Sequence, residues 1–222
     1  MIDEVVRHPT AKTIRLSVDP ATGTARLVVP KRAGLKKALA WAEDKKDWID
    51  AQRARLPQPR PFVPGCEIPF GDVALRLEWV EGRARVIQRE GDRLIASGPL
   101  ETVGRRVEAW LKRQALEVLA RETAEVARLA GVAVSKVSVA DPKARWGSCA
   151  STGAIRYSWR LILAPDYVRR ATVAHEVAHR VHMNHAPAFH TLVAELLGED
   201  PAPATAWLRQ HGAGLHWFGR SS

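Results

Sequence analysis

Five of the chain's eight histidines lie within sixteen residues, from His175 to His190, and two more, His211 and His216, follow. A random scatter over 222 residues does not produce that density. The centre of the cluster reads His175-Glu176-Val177-Ala178-His179. No glycine or proline interrupts residues 167–183, which predicts a helix over Tyr167–Met183. Residues four apart share a helix face, so His175 and His179 project together. That is the geometry for two imidazole nitrogens on one Zn²⁺ at about 2.0–2.1 Å. Glu176 lies about 100° round the helix from His175, free to lean toward a metal-bound water without replacing it. Zinc lowers the pKa of such a water to about 7, and a carboxylate beside it takes the proton. The flanks Thr172, Val173, Ala174, Val177, Ala178 and Val181 are small and apolar, unlike a surface helix that carries the pattern by chance.

A catalytic zinc keeps three protein ligands and an open fourth position. Four residues compete for the third place, ranked His185, Glu195, His190 and His182. His182 shares the helix face of the pair but sits about 7 Å along the axis from its midpoint. His185 follows Asn184, a residue that tolerates the left-handed conformation ending a helix, and a turn there swings His185 back. Glu195 and His190 belong to a second helix opening near Pro187, whose core face is Phe189, Leu192, Val193 and Leu196. His182, His211 and His216 are expected at the solvent-exposed surface.

Upstream, Thr13–Val18 and Ala25–Val29 alternate around the turn residues Asp19 to Gly23 and predict a β-hairpin. Leu35–Arg55 has helical spacing. Strands at 73–79, 84–87 and 93–96 suggest a small meander, and Gly98-Pro99 is the expected internal boundary. That divides the chain into a β-rich portion, 1–99, and a catalytic portion, 100–222. A long helix from Glu101 is closed by Gly131. Two strands, 135–139 and 154–161, precede the histidine helix.

At 46% hydrophobic and 26% charged residues, the composition is that of a globular protein. Cys66 and Cys149 are too few for a disulfide scaffold, and free thiols are expected. No stretch approaches the about 18 apolar residues of a membrane span. The N-terminus lacks an apolar signal core, and a soluble, cytoplasmic protein is expected. The net charge of +10 is spread: 20 Lys/Arg against 15 Asp/Glu in residues 1–111, and 14 against 9 in 112–222. Charge alone therefore does not establish nucleic-acid binding.

Arg145-Trp146-Gly147-Ser148-Cys149, then Ile155, Trp159-Arg160-Leu161-Ile162, Ala164-Pro165, the His175–His179 pattern, Asn184-His185 and Phe189 together resemble the YgjP-like metal-dependent hydrolases. These are relatives of the SprT-like and Wss1-like zinc metallopeptidases. The resemblance implies an α+β, zincin-like fold, with His175, His179 and His185 as zinc ligands and Glu176 as general base. The chain departs from the family's more frequent Trp at His190 and Asn at Ser158. The Arg145–Cys149 run either packs a turn between strands or edges the cleft, pairing an extended substrate and offering Arg145 or a backbone N–H to an oxyanion. Cys149 reads as a small buried side chain rather than a fourth zinc ligand.

The function expected is zinc-dependent hydrolysis of peptide bonds, with a peptide or protein substrate. One alternative is hydrolysis of a nucleotide phosphoanhydride. Another is a DNA-associated, SprT-like protease, for which Arg105, Arg106, Lys112 and Arg113 are the candidate basic face.

Overall fold

The computed structural model of the chain describes residues 1–82 and 85–220 and is a mixed α+β protein. Its contacts divide it into two units, Met1–Gln58 and Pro59–Ser222.

In the first unit the predicted hairpin forms. β2 (Arg15–Val18) runs antiparallel to β3 (Ala25–Pro30), with Leu16 opposite Leu27. The Asp19 side chain accepts the Ala21 N–H at 2.7 Å and holds the turn. β1 (Glu4–His8), unforeseen in the sequence, adds parallel to β3. The helix expected over 35–55 is two, α1 (Leu35–Glu43) and α2 (Lys46–Ala54). Periodicity hides the break: buried Ala42 and Ile49 are seven residues apart and keep one helical phase across it.

The second unit begins with a four-stranded sheet of β4 (Glu67–Phe70), β5 (Val73–Trp79), β6 (Ile87–Glu90) and β7 (Arg93–Ala96), ordered β4-β5-β7-β6. It is not a meander, because β7 pairs parallel to β5 and β6 lies outermost. The expected strand 84–87 began at Ala84, which lies outside the described residues. The observed β6 lies three residues later than that expectation. A tight turn through Gly91 at φ 64° sets Glu90 opposite Arg93 and fixes the register. Leu75, Leu77 and Leu94 of this sheet share one core with Val107 and Leu111 of α3 (Val103–Leu129), so Gly98-Pro99 falls inside the second unit. α3 ends as its sequence predicts. Gly131 takes φ 64°, its N–H bonds to Arg128 and the Val132 N–H to Ala127.

A three-stranded sheet follows, ordered β8-β10-β9: β8 (Lys136–Ala140), β9 (Gly147–Cys149) and β10 (Ala154–Ser158). β10 stops at Ser158 rather than running to Leu161. The Ser158 hydroxyl accepts the Arg160 N–H and opens a 3-10 turn over Trp159–Leu163. Then come α4 (Asp166–Ala178), α5 (Pro187–Leu197) and α6 (Ala202–Leu215). α4 rests on α3 through Val168, Ala171, Val173 and Val177, which belong to the same core. A buried ion pair locks the two helices, Arg169 donating to Glu122 at 2.7 Å. Cys66 and Cys149 are unpaired. No helix among the described residues is long and apolar enough to cross a membrane.

Candidate metal centre

α4 carries His175 and Glu176 and ends at Ala178, five residues short of Met183. The N–H groups of Val181 and His182 both bond to the Ala178 carbonyl, so the chain turns immediately after His179. Among the described residues only glycines have positive φ, so Asn184 does not take the left-handed conformation expected of it. Instead its side-chain oxygen accepts the Ala186 N–H at 3.3 Å, and Pro187 starts α5. The early helix end, rather than a left-handed residue, turns the chain back. It brings His185 Nε2 to 3.3 Å from His175 Nε2.

One donor atom from each of His175, His179 and His185 falls within 4.8 Å of the others. Two nitrogens on a tetrahedral metal at 2.0–2.1 Å stand about 3.3–3.4 Å apart, a separation the His175–His185 pair matches at 3.3 Å, with the third donor within 4.8 Å. The His179 Nδ1–H donates to the His182 carbonyl at 3.0 Å. Because a carbonyl only accepts, the proton sits on Nδ1 and Nε2 keeps its lone pair. Burial and the neighbouring imidazoles push His175 down to about 4, which keeps it neutral and able to ligate.

Phe189, fully buried, lies 4.5–4.9 Å from all three imidazole rings, centroid to centroid. The sequence showed it only as part of a core face. His185 precedes the N-cap Ala186 of that helix, so no helical spacing relates it to Phe189 and the contact carries no local sequence signal. The other third-ligand candidates stand apart. Glu195 is exposed and outside the cluster. His190 is exposed, its ring 6.2 Å from that of His185, and His182 contributes its backbone carbonyl. His211 is exposed, as expected. His216 is not: it is buried, stacked on Trp146 at 5.4 Å, and pushed by burial to about 4. The reason is tertiary. Arg160 binds the carbonyls of Leu215 and Phe218 and the Asp141 carboxylate, pulling the end of α6 inward.

Glu176 is 5% exposed. Burial raises its carboxyl to about 7, against the opposing pull of Arg145. Gly147 explains how the side chain fits, since a Cβ there would lie 2.3 Å from Glu176 Oε1 and 2.6 Å from its Cγ. Within the Arg145–Cys149 run, Gly147–Cys149 form the strand β9 rather than a turn. Trp146 packs against Gly212 and His216, while Gly147 lies directly on Glu176. β9 is also a sheet edge. Burial pushes the Cys149 thiol up, and it lies outside the histidine cluster. A cavity of about 410 Å³ opens beside Glu176 and His175, walled by Ala171, Thr172, Val193, Ala204 and Leu208, with Arg145 at its border. Of the candidate basic face Arg105, Arg106, Lys112 and Arg113 on α3, Arg106 is tied to the carbonyls of Ser97 and Val86, and Lys112 to Glu108.

Burying Glu176 has a pH signature. Its folded value of about 7 exceeds the ordinary 4.5, so folding favours the protonated form. The contribution of Glu176 to stability is fully present below pH 4.5 and is lost as pH rises through 7. In metal-free protein Glu176→Gln is expected to gain about 3 kcal/mol above pH 7 and nothing below pH 4.5. Urea unfolding of both proteins at pH 4 and pH 8 measures the difference.

The family model for the YgjP-like metallopeptidase domain matches residues 12–211. The chain belongs to the YgjP-like family. The match runs from the first hairpin to α6 and contains all three clustered histidines, Glu176 and Gly147. Membership supports a metal-dependent peptidase in general, with a protein or peptide substrate. No curated protein and no solved structure gave a match to the chain.

Proposed function

We propose that this YgjP-like protein is a zinc peptidase of zincin-like architecture, with His175, His179 and His185 as metal ligands and Glu176 as general base. The observation that carries the reading is the convergence of three neutral-capable imidazole donors within 4.8 Å, with a buried carboxylate from the same helix beside them. When bound, zinc supplies an acidified water and polarises the scissile carbonyl. Glu176 takes the proton of the attacking water and returns it to the leaving amine. Its elevated pKa suits a group that must both accept and release a proton near neutrality. Phe189 holds the imidazoles in place from below, and the His182 carbonyl fixes the His179 tautomer.

β9 supports a peptide rather than a small molecule. Ser158 N–H bonds to Trp146 O, and Ala150 N–H to Ala154 O. Antiparallel alternation then turns the N–H and C=O of Gly147 and Cys149 away from β10, toward an open edge. An extended chain pairing there lies against Glu176.

The deciding experiment is metal analysis with a broad protein and peptide panel. About one zinc per chain is expected. His185→Ala should lose it, while His182→Ala should keep it, because residue 182 acts through its backbone. The opposite result overturns the ligand set. Gly147→Ala is expected to retain zinc but lower peptide cleavage by about 10²-fold, the cost of displacing a catalytic group by about 1 Å.

A further inference from the structure

The solvent face of the β8-β10-β9 sheet carries a second feature. A groove of about 570 Å³ is bordered by Lys136, Arg145 and Arg156, with Ser138 and Ser148 between them. Arg156 stands in register with Ser138 on one side and Ser148 on the other, and Lys136 opposite Ala154. These residues therefore share one face of the sheet. No carboxylate and no aromatic side chain lines the groove. Among the described residues none of the three cations makes a salt bridge or side-chain hydrogen bond. Arg145 borders both this groove and the cavity beside Glu176.

We propose that this face is a recognition groove for acidic side chains on the polypeptide strand that pairs with β9. The proposal rests on the peptidase reading above and names its substrate class. A strand added to β9 points alternate side chains to the two faces of the sheet: one set toward Glu176, the other over Ser148. Two strand spacings, about 10 Å, separate such a strand from β10. Together an arginine and an acidic side chain bridge that distance. Single-stranded nucleic acid is the weaker fit, because base stacking needs aromatic platforms that the groove lacks.

The test uses full-length Glu176→Gln protein loaded with zinc and three fluorescein-labelled probes. One is a ten-residue peptide with Glu at alternate positions. The second carries Lys at those positions, and the third is a ten-nucleotide thymidine oligonucleotide. Anisotropy should show binding of the Glu peptide, weakening with salt, and at least tenfold weaker binding of the Lys peptide. Lys136→Glu with Arg156→Glu should weaken the Glu peptide by about tenfold or more and favour the Lys peptide. The milder pair Lys136→Gln and Arg156→Gln, checked by circular dichroism, should weaken it in the same direction. Equal binding of both peptides, or loss of neither in the variants, overturns the proposal. So does an oligonucleotide that binds more tightly than the Glu peptide through the same two residues. Cleavage is read separately with active protein and the same peptides. Glu-peptide binding without cleavage of any peptide would keep the groove and overturn the peptidase reading. Cleavage that ignores Glu would do the reverse.

Discussion

Glu176→Gln is expected to keep zinc and to lower peptide hydrolysis by about 10²–10⁴, the range for a positioned general base. The amide preserves size and shape, so the contact with Gly147 survives. What is lost is the oxygen that accepts a proton. His175, His179 and His185 are untouched, and their donor atoms converge without help from Glu176. Zinc content and turnover measured on one preparation separate the outcomes. Full zinc with unchanged turnover removes Glu176 as the base. Loss of both together makes Glu176 a part of the metal site. The size of the effect follows from burial: a 5%-exposed carboxylate is not readily replaced by a stray solvent base.

Arg169→Leu is expected to destabilise the protein by about 3–5 kcal/mol, because Glu122 is left buried without its countercharge. Arg169 donates to both oxygens of Glu122 and also to Asp166, with its side chain 5% exposed and that of Glu122 9%. Adding Glu122→Leu should restore much of the loss, since an apolar pair of similar volume needs no compensation. Urea unfolding of the single and double variants measures this. A single variant as stable as the parent would mean that Glu122 is hydrated or protonated once Arg169 is gone. The pair lies between α3 and α4, so it also holds the helix that carries His175 and Glu176 in place.

The residues that meet at the centre were legible because their information is local. The i, i+4 spacing of His175 and His179 sets a shared face as soon as a helix forms, whatever surrounds it. The hairpin at 15–30 and the glycine end of α3 are local for the same reason: a turn or a cap is written in four to six neighbouring residues. Long-range pairing is not local. Nothing in residues 73–96 distinguishes a meander from a parallel β5–β7 pair with β6 outside, because both give the same alternation along each strand.

Burial of polar groups was equally hidden. His216 resembles an exposed histidine until Arg160, 56 residues earlier, gathers the end of α6 through backbone carbonyls. The helix end at Ala178 was decided by the turn that joins α4 to α5, not by a breaker residue in its own segment. Sequence alone thus determined the chemical groups and their local spacing. Only the tertiary structure decided how Gly147 and Phe189 confine them. Which strand edge lies open beside them was likewise a tertiary outcome, since close approach between distant segments depends on the packing of the whole unit.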